Sequence, residues 1–154
     1  MKLQLGEYIS LGKVEAQLKT CPIVDNCCIY GDGMQNYVVA LVVANKDRLE
    51  VMAEKLSISG LSFEELCKNK DITGAVLKDL QAHGKRVGLQ KFELPGEIPF
   101  PFIQISSAAG AVTLVEEQWL PESGLVTAAF KLKRKPIQEH YQKDLKRMYG
   151  ARCA

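Results

Sequence analysis

Tyr37–Ala44 (YVVALVVA) has no charged residue and is rich in β-branched side chains, which predicts a strand buried on both faces. Ile23–Tyr30 reads as a second strand, ended by the turn signal Gly31-Asp32-Gly33, so the two runs predict an antiparallel pair. Upstream, Glu7–Ser10 reads as a short extended segment. Val14, Leu18 and Cys21 then recur at helical spacing after Ser10, a candidate N-cap, and Pro22 closes that helix.

Helical periodicity dominates the middle of the chain. Asn45 is positioned to cap a helix with Leu49, Met52, Ala53 and Leu56 on one stripe, and Ser62 with Glu65 has the spacing of a capping box. Asp71 is the candidate cap of a third helix, with Ile72, Ala75, Val76, Leu80 and Val87 on its inner side. Lys91–Leu94 and Val112–Glu116 read as strands. Pro136, a favoured first-turn residue, opens a last helix whose Ile137, Tyr141, Leu145 and Met148 face the core, with Lys143, Lys146 and Arg147 mostly on the wet side. The predicted fold class is α+β, a small mixed or antiparallel sheet flanked by about five helices. Gly96–Ala111 (GEIPFPFIQISSAAGA) breaks the pattern, a long proline-containing stretch between two strands.

A length of 154 residues, 47% hydrophobic and 25% charged, suits one globular domain and excludes wholesale disorder. No run reaches the roughly 18–20 apolar residues of a membrane span, and the first residues lack the apolar core of a secretory signal, so a soluble intracellular chain is expected. The net charge of +2 is unevenly spread: the segment from Lys131 onward carries +6 and residues 1–130 carry −4. A basic end suggests an anionic partner such as phosphate, nucleic acid or a membrane surface. Aromatic residues, at 7%, are not interleaved with the late basic residues, which argues against nucleic acid. The five cysteines include an adjacent pair, Cys27 and Cys28, and no C-x-x-C, so neither a disulfide framework nor a metal site is expected. The two histidines, His83 and His140, fall in helical patterns that suit surface or packing roles.

Four segments together resemble the C-terminal domain of long-chain acyl-CoA synthetases, in the adenylate-forming ligase superfamily. They are Lys2–Glu15 (KLQLGEYISLGKVE), Val24-Asp25-Asn26 before a strand, Trp119–Lys135 (WLPESGLVTAAFKLKRK) and His140–Gly150 (HYQKDLKRMYG). The third and fourth are the most specific. The resemblance runs from residue 2 to residue 150 and omits only Gly96–Ala111, which looks like an insertion (a retained short intron or a lineage-specific loop) in a single lid domain spanning 1–154.

The resemblance implies a two-step reaction. A long-chain fatty carboxylate attacks the α-phosphate of ATP to give acyl-AMP, and the acyl group then passes to the thiol of coenzyme A. Two anionic reactants call for a cation between them. The superfamily's lysine lies in a pattern like Lys-(Ile/Leu)-x-Arg, which Lys131-Leu132-Lys133-Arg134 matches, so Lys131 is the implied catalytic residue, with Lys133 and Lys135 as alternatives. Phe130 stands where the pattern usually has glycine. Lys133 and Arg134 are implied to contact the nucleotide. Gly6, Glu7 and Tyr8 are implied to meet the coenzyme A arm after the domain rotates between steps, with Leu5 where a small residue is expected. Mg2+ would arrive with ATP on a large N-terminal adenylation domain, whose phosphate loop and acyl tunnel this sequence lacks.

The chain alone is therefore expected to be inactive. The complete enzyme would sit on the endoplasmic reticulum, the mitochondrial outer membrane or lipid droplets through N-terminal segments. A nonenzymatic basic module, docking on a ligase body or an anionic surface, is the alternative.

Overall fold

Every residue of Val39–Ala44 (β2) is buried, because the strand runs between two helical layers. In the computed structural model, residues 8–31, 38–89, 95 and 112–150 are described. Around β2 lie α1 (Leu11–Leu18), β1 (Val24–Tyr30), α2 (Lys46–Lys55), α3 (Phe63–Lys68), α4 (Lys70–Arg86), β3 (Val112–Val115), a 3-10 turn at Pro121–Ser123, α5 (Arg134–His140) and α6 (Gln142–Gly150).

The sheet is mixed, in the order β1-β2-β3. β1 is antiparallel to β2, with Cys27 opposite Val42 and Tyr30 opposite Val39, and a bulge between Val24 and Asn26. β3 is parallel to β2, Ala40 opposite Val112 and Val43 opposite Val115; three helices lie between these strands among the described residues.

Strand alternation divides the core in two. Val38, Ala40, Val42 and Ala44 face a cluster with Val14 and Leu18 of α1, Leu49 of α2, and Ile72, Val76 and Leu80 of α4. Val39, Leu41 and Val43 face the other way, onto Trp119, Leu125, Val126, Ile137, Tyr141, Leu145 and Met148. The segment with the strongest family resemblance is therefore seated on the second face of the sheet.

Most predicted elements are present, with local corrections. Asn45 caps α2, its side chain accepting from Arg48 N at 3.1 Å, and Ser62 and Glu65 form the reciprocal capping box of α3. Ser10 precedes α1 without a side-chain cap bond. Leu56 on the α2 stripe is exposed, because it stands at the helix's C-cap. Asn69, not Asp71, caps α4: Asn69 Oδ1 accepts from Asp71 N at 2.9 Å and from Ile72 N at 3.2 Å. The last helix begins at Arg134 rather than Pro136 and breaks at Tyr141, giving six α-helices among the described residues instead of about five. Pro136 is still in the first turn, where its missing N–H has no intrahelical partner to lose. The strand expected at Lys91–Leu94 and the stretch Gly96–Ala111 lie outside the described residues. Among those described, no helix is long and apolar enough to cross a membrane.

Candidate functional site

Leu125 and Val126 are buried against the sheet, and from them the chain makes a tight excursion into solvent. Val126 pairs antiparallel with Leu132, Lys133 N donates to Leu125 O at 2.9 Å, and Thr127 N donates to Lys131 O at 2.8 Å. Phe130 N closes the turn onto Thr127 O at 2.8 Å. This is a hairpin with the three-residue loop Ala128–Phe130, a geometry whose last loop residue takes the left-handed conformation. Phe130 does so, with φ of +60°.

Glycine adopts that conformation freely, whereas a residue with a Cβ pays about 1–2 kcal/mol. The hairpin thus gives the physical reason for the glycine usual at this position of the superfamily's pattern. Thr127 Oγ1 accepts from Lys131 N at 3.0 Å and fixes the exit from the loop. Lys131 is exposed there, and among the described residues no carboxylate pairs with it.

The base of the hairpin is held by an ion pair between a buried carboxylate and a half-buried guanidinium. Glu15, on α1, is 4% exposed. Its carboxylate accepts from Arg134 Nη2 at 2.5 Å and Nη1 at 3.0 Å, and from Ile29 N at 2.7 Å; Arg134 Nη1 also donates to Ile29 O at 3.4 Å. The bidentate bond to Glu15 raises the Arg134 pKa further, so the guanidinium stays charged throughout the accessible range. Arg134, expected to contact a cofactor, joins the start of α5 to α1 and β1, with its side chain 36% exposed. It turns into the domain because Glu15 cannot be buried unpaired.

That leaves Lys131 and Lys133, both exposed, as outward cations of the motif; Lys135 is exposed one residue beyond Arg134. Tyr8 is 72% exposed, ahead of α1. Gly6 and Glu7 lie outside the described residues. The Arg134–Glu15 pair is thus the physical link between the element that follows Tyr8 and the hairpin that carries Lys131.

A second polar network braces the approach. Trp119 Nε1 donates to Tyr141 Oη at 3.0 Å, Tyr141 Oη donates to Glu117 Oε1, and His140 Nε2 lies 3.0 Å from the same oxygen. Burial, then the bond to Glu117, pushes the Tyr141 phenol above its ordinary range. An open groove of about 760 Å3 runs beside β3 between α3 and α6, lined in part by Cys67, Thr113, Tyr141 and Arg147; none of the predicted site residues lines it. Among the described residues no group of three or more His, Cys, Asp or Glu could hold a metal ion. Glu15 is the residue of this arrangement that residue-by-residue reading did not single out. Its only signal was its place at the end of the Lys2–Glu15 motif.

No family model matches the chain. Long chain acyl-CoA synthetase 8 of Arabidopsis thaliana is 41% identical over 150 residues, 97% of this chain and 19% of that protein. Long-chain-fatty-acid–CoA ligase 4 of Saccharomyces cerevisiae is 36% identical over 146 residues, 94% of this chain and again 19% of the relative. Among solved structures, the adenylation domain of a carboxylate reductase from Mycobacterium chelonae superposes with a TM-score of 0.74 at 25% identity, over 97% of this chain and 19% of that one. The corresponding domain from Segniliparus rugosus, solved with AMP and a co-purified carboxylic acid, gives 0.73 at 24% identity, over all of this chain and 20% of that one. The chain spans about a fifth of the length of the curated relatives it matches. By sequence and by fold it belongs to the long-chain acyl-CoA synthetase family, matching about a fifth of such a protein's length.

Proposed function

We propose that the chain is the C-terminal lid of a long-chain fatty-acid–CoA ligase and that Lys131 is its catalytic residue in acyl-AMP formation. The observation that carries this is an exposed lysine on a hairpin fastened to the core, within a sequence 41% identical to an acyl-CoA synthetase. The hairpin lies on the domain surface and outside the groove beside β3, as expected of a group that works across an interface with a separate nucleotide-binding body.

In the first step Lys131 Nζ stands between the fatty carboxylate and the α-phosphoryl oxygens. It offsets their repulsion and the charge that develops as pyrophosphate leaves. A lysine fits because its compact charge on a long stem reaches from a fixed backbone. Lys133, two residues on, adds positive field for the polyphosphate. In the second step the lid turns, Lys131 withdraws, and the Gly6–Tyr8 segment faces the arm of coenzyme A; glycine at position 6 lets the backbone approach a ligand closely. Mg2+ enters with ATP on the N-terminal body, and acyl chain length is selected there. The chain by itself is inactive, and the membrane that holds the complete enzyme is set by segments outside it.

Lys131→Ala in the complete enzyme tests the assignment. Pyrophosphate exchange with a long-chain fatty acid should fall by at least about a hundredfold, the scale of losing one transition-state charge contact. Thioester formation from preformed acyl-AMP should stay within about threefold of the parent rate, because the lysine has withdrawn by that step. An equal loss in both half-reactions would reject the role.

A further inference from the structure

The tip of the hairpin is built against its own stability. Ala128, Ala129 and Phe130 are all exposed, Phe130 to 56%, and together they form a run of three apolar residues in a turn. Turn chemistry favours Asn, Asp, Ser or Gly in such a loop, and runs of exposed apolar residues are faults unless they serve a function. Phe130 adds the strain of φ +60° where glycine would be unstrained. The arm behind this tip is rigid: Leu125 and Val126 are seated in the core and Arg134 is locked to Glu15. The molecule therefore holds an apolar plug, followed directly by Lys131, at a fixed place in solvent.

Resting on the function proposed above, we propose that Ala128–Phe130 is a water-excluding plug that seats in an apolar recess of the enzyme's own nucleotide-binding body. Phe130 is its anchoring ring and the positioning residue for Lys131. The occupant is the body of the same enzyme because the relatives extend far beyond this segment, which matches 97% of its own length and only 19% of theirs. Burying the ring at closure removes water from around the Lys131 ammonium, where a charge contact is worth far more than in bulk solvent. It also keeps water from the acyl-adenylate. Phe130 does no chemistry itself; it fixes where and how dry the lysine is.

Phe130→Gly and Phe130→Leu, in the complete enzyme and in this chain alone, test the proposal beside Lys131→Ala. In the chain alone Phe130→Gly should leave the melting temperature unchanged or raise it by up to about 3 °C, through relief of strain. In the complete enzyme the same change should lower pyrophosphate exchange about tenfold, the scale of one lost aromatic burial. It should also raise the fraction of acyl-AMP lost to hydrolysis rather than passed to coenzyme A. Phe130→Leu, which keeps an apolar anchor, should restore most of both. Full exchange activity in Phe130→Gly with Lys131→Ala inactive would overturn the plug alone, while an active Lys131→Ala would overturn the underlying function as well. A marked fall in melting temperature of the isolated Phe130→Gly chain would show that the ring packs on its own domain. Self-association of the isolated chain that Phe130→Gly abolishes would assign the tip to a second copy instead.

Discussion

At the scale of single residues, the pair Glu15–Arg134 decides how the motif is presented. A guanidinium three positions after Lys131 is directed toward a carboxylate on α1, so neighbouring basic residues of one short motif have different surroundings. Removing one member of a buried pair is costlier than the pair's net worth, because the remaining charge is left without a partner. Arg134→Ala should therefore destabilise the chain by about 3 kcal/mol, the low end for such a break, because the Arg134 side chain is 36% exposed and water can partly replace it. Glu15→Gln should cost less, about 1–2 kcal/mol, since an amide oxygen can still accept from Ile29 N. Urea unfolding of the two variants checks the order, and equal midpoints would show that burial of the carboxylate is not the governing cost. Sequence pattern alone could not separate Arg134 from Lys131 and Lys133. All three are basic residues in an exposed-looking run, and the partner that sorts them lies 119 positions earlier.

At the scale of elements, caps and periodicity were readable wherever the causes are local. The strands at Ile23–Tyr30 and Tyr37–Ala44, the Asn45 cap and the Ser62–Glu65 box each depend on a few neighbouring side chains, and each corresponds to a feature of the fold. The cap of α4 stands two residues before the position that the sequence predicts. Asn69 ends α3 and begins α4 at once, and only the actual break between the helices tells which polar residue stands outside the first turn. Asn69→Ala should cost about 1–2 kcal/mol through two orphaned N–H groups, whereas Asp71→Ala should cost a few tenths through loss of a favourable charge near the helix N-terminus. Thermal melts of the two variants distinguish them, and a larger loss from Asp71→Ala would return the cap to the position expected from sequence. The parallel pairing of β3 with β2 was less legible, because register across a long crossover depends on tertiary packing. Phe130 is the reverse case: its departure from the superfamily's usual glycine is visible in sequence, and only the hairpin's φ explains what the departure costs.

At the scale of the whole molecule, the two apolar layers that position the hairpin also determine the response to alkali. Cys27 and Cys28 lie in β1, one facing each layer, and Cys67 lies in α3; all are free thiols and buried. Burial, with the nearby Glu15 carboxylate second, pushes Cys27 and Cys28 up to about 12 from 9.0, and burial, with Glu116 second, pushes Cys67 to about 11. Well below pH 9 these thiols are protonated in both folded and unfolded chains and contribute no pH dependence. Between 9 and about 12 the unfolded chain releases protons that the folded chain keeps, so stability falls as pH rises through that window. The slope approaches about 1.4 kcal/mol per pH unit for each such thiol, large against a typical domain stability of about 5–15 kcal/mol. Tyr141, also shifted upward by burial and Glu117, adds in the same direction. The Arg134–Glu15 clamp is unaffected in this range because the guanidinium remains charged. Urea midpoints of the parent chain should therefore drop steeply from pH 9 to pH 10.5. The Cys27→Ala/Cys28→Ala variant, weaker at pH 7 because it leaves small cavities, should lose distinctly less over the same interval. Parallel pH profiles for the two proteins would mean that the thiols ionise as readily inside the fold as outside it, and that the sheet is not sealed by the layers on either side.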